Sequence, residues 1–130
     1  MTAQQPSKAL LWTGRVLSTL PVLLMTMSAI MKLTASRQIL EGFVNTMGYP
    51  ENTLIPIGIV ELSVAIIYAI PRTAVLGAIL ITGYLGGATA THVRISDVFV
   101  MPVLVGVMAW AGLWIREARL RELIPLRKRS

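Results

Sequence analysis

Glu61 stands seven positions into "LIPIGIVELSVAIIYAI", Leu54–Ile70, the one charged residue in an apolar run. If that run crosses a bilayer, its carboxylate lies roughly 10 Å below the outer boundary, at 1.5 Å of helix per residue. A charge at such depth costs about 3 kcal/mol on insertion scales, so it must face a protein interior and be paired or protonated. Two chemistries fit this position. Glu61 is half of a buried ion pair that fixes helix register, or it is a proton-accepting or ligand-binding group.

Three partners come within reach. Lys32 closes the first apolar run and His92, the only histidine, closes the third. Both belong at the end of the molecule where Glu61 lies. Arg15 sits roughly 9 Å from the opposite boundary. It reaches Glu61 only by extending along its helix, and otherwise snorkels to headgroups. Arg94 and Asp97 follow His92, so Lys32, Glu61, His92, Arg94 and Asp97 all map to the outer half of one bundle. Tyr84, Ala88 and His92 are spaced by four, which puts Tyr84 on the His92 face and in the same cavity. The ligand-binding candidates are therefore Lys32, Glu61, Tyr84, His92 and Arg94, with His92 capping an outer cavity, Glu61 in its floor and Lys32 at its edge. No catalytic residue is assigned.

The elements that must position these side chains are helices. Of 130 residues, 55% are hydrophobic and 14% charged, more apolar surface than a soluble domain of this length can hide. Four apolar runs stand out: Ala9–Met31, Leu54–Ile70, Ala74–Thr91 and Val98–Ile115. Each matches a ~30 Å hydrocarbon core as a helix, the form in which a lipid-embedded backbone satisfies itself. The fold expected is all-α, a single domain over residues 1–130: a polytopic membrane four-helix bundle with a basic tail over residues 116–130. The first run is too long for a signal-peptide core and lacks a clean cleavage site, so it reads as a retained span. Pro21 is expected to bend it.

Between the first two spans, "SRQILEGFVNTMGYP" places Ile39, Leu40, Phe43, Val44 and Met47 on one stripe, with Arg37, Gln38, Glu41 and Asn45 opposite. Ser36 is a suitable N-cap, and Gly48 with Pro50 ends the run. This is a short amphipathic helix, either an interfacial connector or a lid on the bundle mouth. In the third span, Gly83 and Gly87 have small-xxx-small spacing, continued by Ala90. That pattern predicts a close helix contact that would draw His92 toward Glu61.

Charge sets the expected orientation. Twelve Lys and Arg stand against six Asp and Glu. With four spans both termini share a side, and that side holds Lys8, Arg72, Arg116, Arg119, Arg121, Arg127, Lys128 and Arg129. The other holds Lys32, Arg37 and Arg94. Positive-inside bias puts both termini in the cytoplasm, with the tail along anionic headgroups. The tail has neither the aromatic interleaving nor a module for nucleic acid.

The chain has no cysteine, which excludes disulfides and iron–sulfur clusters within it. One histidine cannot supply bis-histidine haem ligation. No metal-ligand spacing, phosphate loop, dinucleotide fingerprint or nucleophile elbow is present. "GYLGGA" is glycine-rich but lies inside a span with no strand before it. No cofactor is expected within the chain except that a quinone could bind.

"GYPENTLIPIGIVEL", "IPRTAVLGAILITGYLGGATATHVR" and "GLWIREARLRELIPLR" carry a resemblance to the DoxX-like family of small bacterial four-helix membrane proteins. The likeness runs from "GRVLSTL" to "PLR". Ser28 and Ala29 stand where a glycine is expected nearby, and Thr89 where valine is more usual. The resemblance implies four transmembrane helices in the bacterial inner membrane. Related DoxX and DoxD proteins are linked to quinone-coupled oxidation of sulfur compounds and to oxidoreductase complexes in oxidative-stress defence. Lys32, Glu61, His92 and Arg94 fall within the matching motifs. Two functions are expected. One is a non-enzymatic membrane subunit that binds a partner protein, a second copy of itself, or a lipid- or quinone-like ligand in an outer polar pocket. The other is a quinone-linked oxidoreductase subunit, in which Glu61 or His92 handles a proton and Lys32 or Arg94 holds an anionic substrate.

Overall fold

The computed structural model describes residues 6–129. The first helix, α1, spans Lys8–Thr34, and the Ser7 side chain caps it by accepting from the Leu10 N–H. It continues through Pro21, whose ring is buried. Ala35 ends it in the left-handed region at φ 48°. Ser36 then caps the short helix α2, Arg37–Glu41, by accepting from Ile39 N–H. A wider π turn carries the chain over Gly42–Thr46. Gly48, at φ 77°, supplies the left-handed residue that reverses it. The amphipathic stripe is as expected. Phe43 is buried and Ile39, Leu40, Val44 and Met47 are half-buried, while Arg37, Gln38, Glu41 and Asn45 are exposed.

Single turns at Glu51–Thr53 and Pro71–Thr73 lead into α3, Leu54–Ala69, and α4, Ala74–Arg94. Then come α5, Val100–Arg116, and a short α6, Ala118–Arg121. No strand occurs among the described residues. Three helical stretches are long and apolar enough to cross a membrane: Lys8–Thr34, Glu51–Ala69 and Pro71–Arg94. The fourth, α5, is apolar but has 17 residues, about 25 Å of helix.

The long helices form a quadrangle. α1 packs against α3 and α5, and α4 packs against the same two. Met25, Ala65, Tyr68, Ala78, Ile81, Val105, Ala109 and Leu113 fill the centre. The outside is as apolar as the inside: Trp12, Leu23, Val98 and Val107 are each about 60–70% exposed. Hydrophobic residues all round a helix are the mark of a lipid-facing surface. One end of the quadrangle, the terminal end, carries the start of α1 and the short α6; the other, the lid end, carries the α2 segment.

Close helix approach depends on glycines other than those expected. A Cβ on Gly77 would fall 2.3 Å from the Tyr68 Cα, so α4 lies directly on α3. A Cβ on Gly112 would fall 2.5 Å from the Ser18 Oγ, and one on Gly14 would fall 2.9 Å from the Arg116 Cγ. Gly83 and Gly87 have nothing within 4 Å of such a Cβ, and Ala90 is exposed. The expected packing face is thus corrected: among the described residues no neighbouring helix closes on Gly83 or Gly87. The reason is phase. The inward stripe of α4 runs through Ala74, Ala78, Ile81 and Leu85. Gly83 and Gly87 each stand two residues beyond a stripe member, about 200° away around the helix.

Candidate functional site at the lid end

Glu61 lies on the inward stripe of α3, with Leu54, Gly58, Ala65 and Tyr68. It is 3% exposed. One turn earlier, Gly58 has no side chain, and the Lys32 stem passes through that space, 3.1 Å from where a Cβ would be. Lys32 could extend to the helix end; instead its ammonium turns inward. Nζ donates to Glu61 Oε2 at 2.8 Å and to Ser28 Oγ at 2.7 Å. Ser28 in turn donates to Glu61 Oε2 at 3.2 Å, closing a three-membered ring of polar contacts. Ser28 and Lys32 are four apart on α1, so one helix face delivers both. Tyr84 reaches in from α4, and its phenol interacts with the same carboxylate. Three helices therefore converge on one buried carboxylate, and the Lys32 ammonium beside it supplies its counter-charge.

A second layer lies above this cluster. Tyr49, beyond the α2 segment, shares a short hydrogen bond with Thr91 of α4 and stacks on Phe43 with ring centroids 4.9 Å apart. Arg94 donates to the Met47 carbonyl and lies over the Tyr49 ring at 5.5 Å. The α2 segment is thereby latched to the end of α4, with Phe43 buried beneath it.

The five expected ligand-binding residues are divided between these layers. Lys32, Glu61 and Tyr84 come together. Arg94 belongs to the latch. His92 donates from Nδ1 to the Ala88 carbonyl, 2.7 Å away on its own helix, since a carbonyl can only accept. It makes no hydrogen bond or ion pair with Glu61 among the described residues. The expectation that the small face of α4 draws His92 to Glu61 is corrected accordingly, because that face points outward. Asp97 caps Val98 N–H at 2.8 Å and is exposed. Arg15 does not extend to Glu61; it lies over Trp12 at the terminal end, 5.1 Å from the ring centroid. Ser28, Tyr49 and Thr91 are site residues that the sequence reading missed. Ser28 carried a signal, the i, i+4 spacing to Lys32.

An apolar groove of about 800 Å³ runs between α4 and α5, lined among others by Leu85, Gly86, Pro102, Gly106 and Trp110. It occupies the other flank of α4 from the Glu61 cluster. Two indole N–H groups are satisfied along it: Trp110 Nε1 donates to Thr82 Oγ1 at 2.6 Å and Trp114 Nε1 to the Ile124 carbonyl at 2.9 Å. No group of three or more metal-ligating side chains is gathered among the described residues.

A helical chain whose long helices expose apolar flanks, with a buried ion pair toward the lid end and an amphipathic segment latched across that end, is a small integral membrane protein. Its family model agrees: the DoxX-like family matches residues 16–112, and the chain belongs to that family. Lys32, Glu61, Tyr84, His92 and Arg94 all lie within the matched region. No curated protein and no solved structure gives a significant match.

Proposed function

We propose that the protein is a non-enzymatic membrane subunit that binds the polar head of a lipid- or quinone-like ligand at the Lys32–Ser28–Glu61–Tyr84 cluster, under the α2 segment. All four apolar helices span the bacterial inner membrane in this reading, with both termini cytoplasmic and the cluster in the outer half. One observation carries it: a carboxylate 3% exposed is held by Lys32 and Ser28, with the Tyr84 phenol of a third helix beside it, beneath a segment fixed by few contacts. Packing alone does not require so polar a centre, since a hydrophobic pair of similar volume serves a bundle equally well. The latch consists of side-chain and single-carbonyl contacts at a helix end, where local opening costs least. A head group would enter as the latch opens, exchanging its own hydrogen bonds for those of Lys32 and Tyr84.

A second reading, a quinone-linked oxidoreductase subunit in sulfur-compound oxidation or oxidative-stress defence, is favoured by the placement of the Tyr84 phenol beside Glu61. With no cysteine in the chain, electrons would come from the substrate directly or from a partner protein. The buried carboxylate does not fit a resident quinone without movement of the lid, so no redox step is assigned to it.

The test is purification in gentle detergent followed by mass spectrometry of bound lipid and quinone. The comparison is wild type against the Lys32→Met/Glu61→Leu double variant, which removes both charges together. A lipid or quinone species retained by wild type and lost from the folded double variant supports the proposal. Identical profiles reject it.

A further inference from the structure

The opposite end of the bundle holds a second polar centre, which carries two arginines and, among the described residues, no carboxylate. A cavity of about 210 Å³ opens there, its polar lining drawn from Arg15, Ser18, Thr19, Tyr68 and Arg116. Thr19 spends its hydroxyl proton on the Arg15 carbonyl, 2.7 Å away. The Tyr68 hydroxyl lies 2.7 Å from the Ala109 carbonyl and 2.8 Å from Ser18 Oγ. Its single proton goes to the carbonyl, which can only accept, and Ser18 then donates to Tyr68. That leaves Ser18 free to accept from Arg116 Nη2, at 3.0 Å.

Arg116 is the anomaly. It stands in the last turn of α5, where an arginine ordinarily extends outward to water and headgroups. Here it folds back across Gly14, whose missing side chain leaves the room, and points to Ser18. Its Nε is buried and has no hydrogen-bond partner. Buried polar groups in folded proteins are nearly always satisfied, most of all charged ones. No carboxylate neutralises either arginine: the ion pairs among the described residues are Lys32–Glu61 and Arg37–Glu41. Two arginines thus line one small cavity without a counter-charge among the described residues, Arg116 with a buried unpaired donor and Arg15 from the exposed rim, where it also rests on Trp12.

We propose that this cavity is a phosphate site, with the forked donors of Arg116 and Arg15 on the phosphate oxygens and the Ser18–Tyr68 chain holding Arg116 in place. The phosphate comes from the headgroup of an anionic membrane lipid or from free phosphate. The site is separate from the Lys32–Glu61 cluster and stands or falls independently of it.

The experiment uses the full chain in mild detergent. Native mass spectrometry measures retention of phosphatidylglycerol against phosphatidylcholine, and thermal unfolding is followed with and without inorganic phosphate. Wild type should prefer phosphatidylglycerol about tenfold, or be stabilised by inorganic phosphate if the source is free phosphate. Arg15→Gln and Arg15→Gln/Arg116→Gln should lose that response. Arg15→Gln is included because its side chain is exposed and its loss leaves the core intact. Arg127→Gln/Lys128→Gln/Arg129→Gln, in the tail, should keep it. No response to either probe in wild type, a response preserved in Arg15→Gln and the double variant, or one abolished by the tail variant overturns the site.

Discussion

Lys32 Nζ and Glu61 Oε2 lie 2.8 Å apart across α1 and α3, with the Glu61 side chain 4% exposed and that of Lys32 20% exposed. The pair joins the two helices through a polar ring that Ser28 of α1 completes. Its two members should therefore be strongly coupled. Glu61→Gln keeps shape but leaves Lys32 without its counter-charge. We expect a loss of about 3 kcal/mol, at the low end for a broken buried pair because Lys32 keeps some solvent access. Lys32→Met/Glu61→Leu should recover to within about 1 kcal/mol of wild type. Thermal unfolding in detergent checks both, and additive losses in the double variant would contradict the coupling.

The glycine contacts predict a contrast. Gly77→Ala drives a methyl group into the Tyr68 backbone, and Gly112→Ala drives one into Ser18. Each should cost about 1–3 kcal/mol by overpacking. Gly83→Ala and Gly87→Ala meet open space and should leave the melting temperature unchanged or raise it slightly, because alanine favours a helix interior over glycine. The reverse ranking would mean that α4 is rotated from the orientation described.

Tyr49→Phe removes the hydroxyl shared with Thr91 while keeping the stack on Phe43. Amide exchange over residues 37–49 should accelerate several-fold, and the Met25–Ala65–Ile81 core should keep its protection. Unchanged exchange in the α2 segment would show that the latch is held by Phe43 and Arg94 alone.

Orientation is open to a direct check. A reporter that fluoresces only in the cytoplasm, fused after Ser130, should be bright, and one inserted between Thr34 and Thr53 should be dark. A dark C-terminal fusion on an inserted protein contradicts the positive-inside assignment.

How far the sequence carried can be seen in particular residues. Glu61 was legible because a lone carboxylate in an apolar run admits few explanations, and Lys32 because it closes the neighbouring run at the same end of the bundle. The α2 stripe was legible because that segment lies between apolar and polar surroundings, so its residues alternate with helical period. The inward face of α4 was not. When lipid is as apolar as the core, a helix is hydrophobic all round and periodicity gives no phase. Gly83 and Gly87 announced a small surface without a direction, and His92 was misplaced with them. The Ser18–Arg116 contact joins residues 98 apart, and no local pattern brings them together.

The proposed ligand site is tested most directly from inside it. A photoreactive phenylalanine analogue replacing Tyr84 should, on illumination in native membranes, capture a small molecule of lipid or quinone mass, identified by mass spectrometry of the intact protein. The adduct should disappear when Lys32→Met/Glu61→Leu is introduced alongside. If the probe captures only this chain's own residues, or an adduct that the double variant leaves unchanged, the cluster is a structural ion pair and the ligand-binding account is wrong.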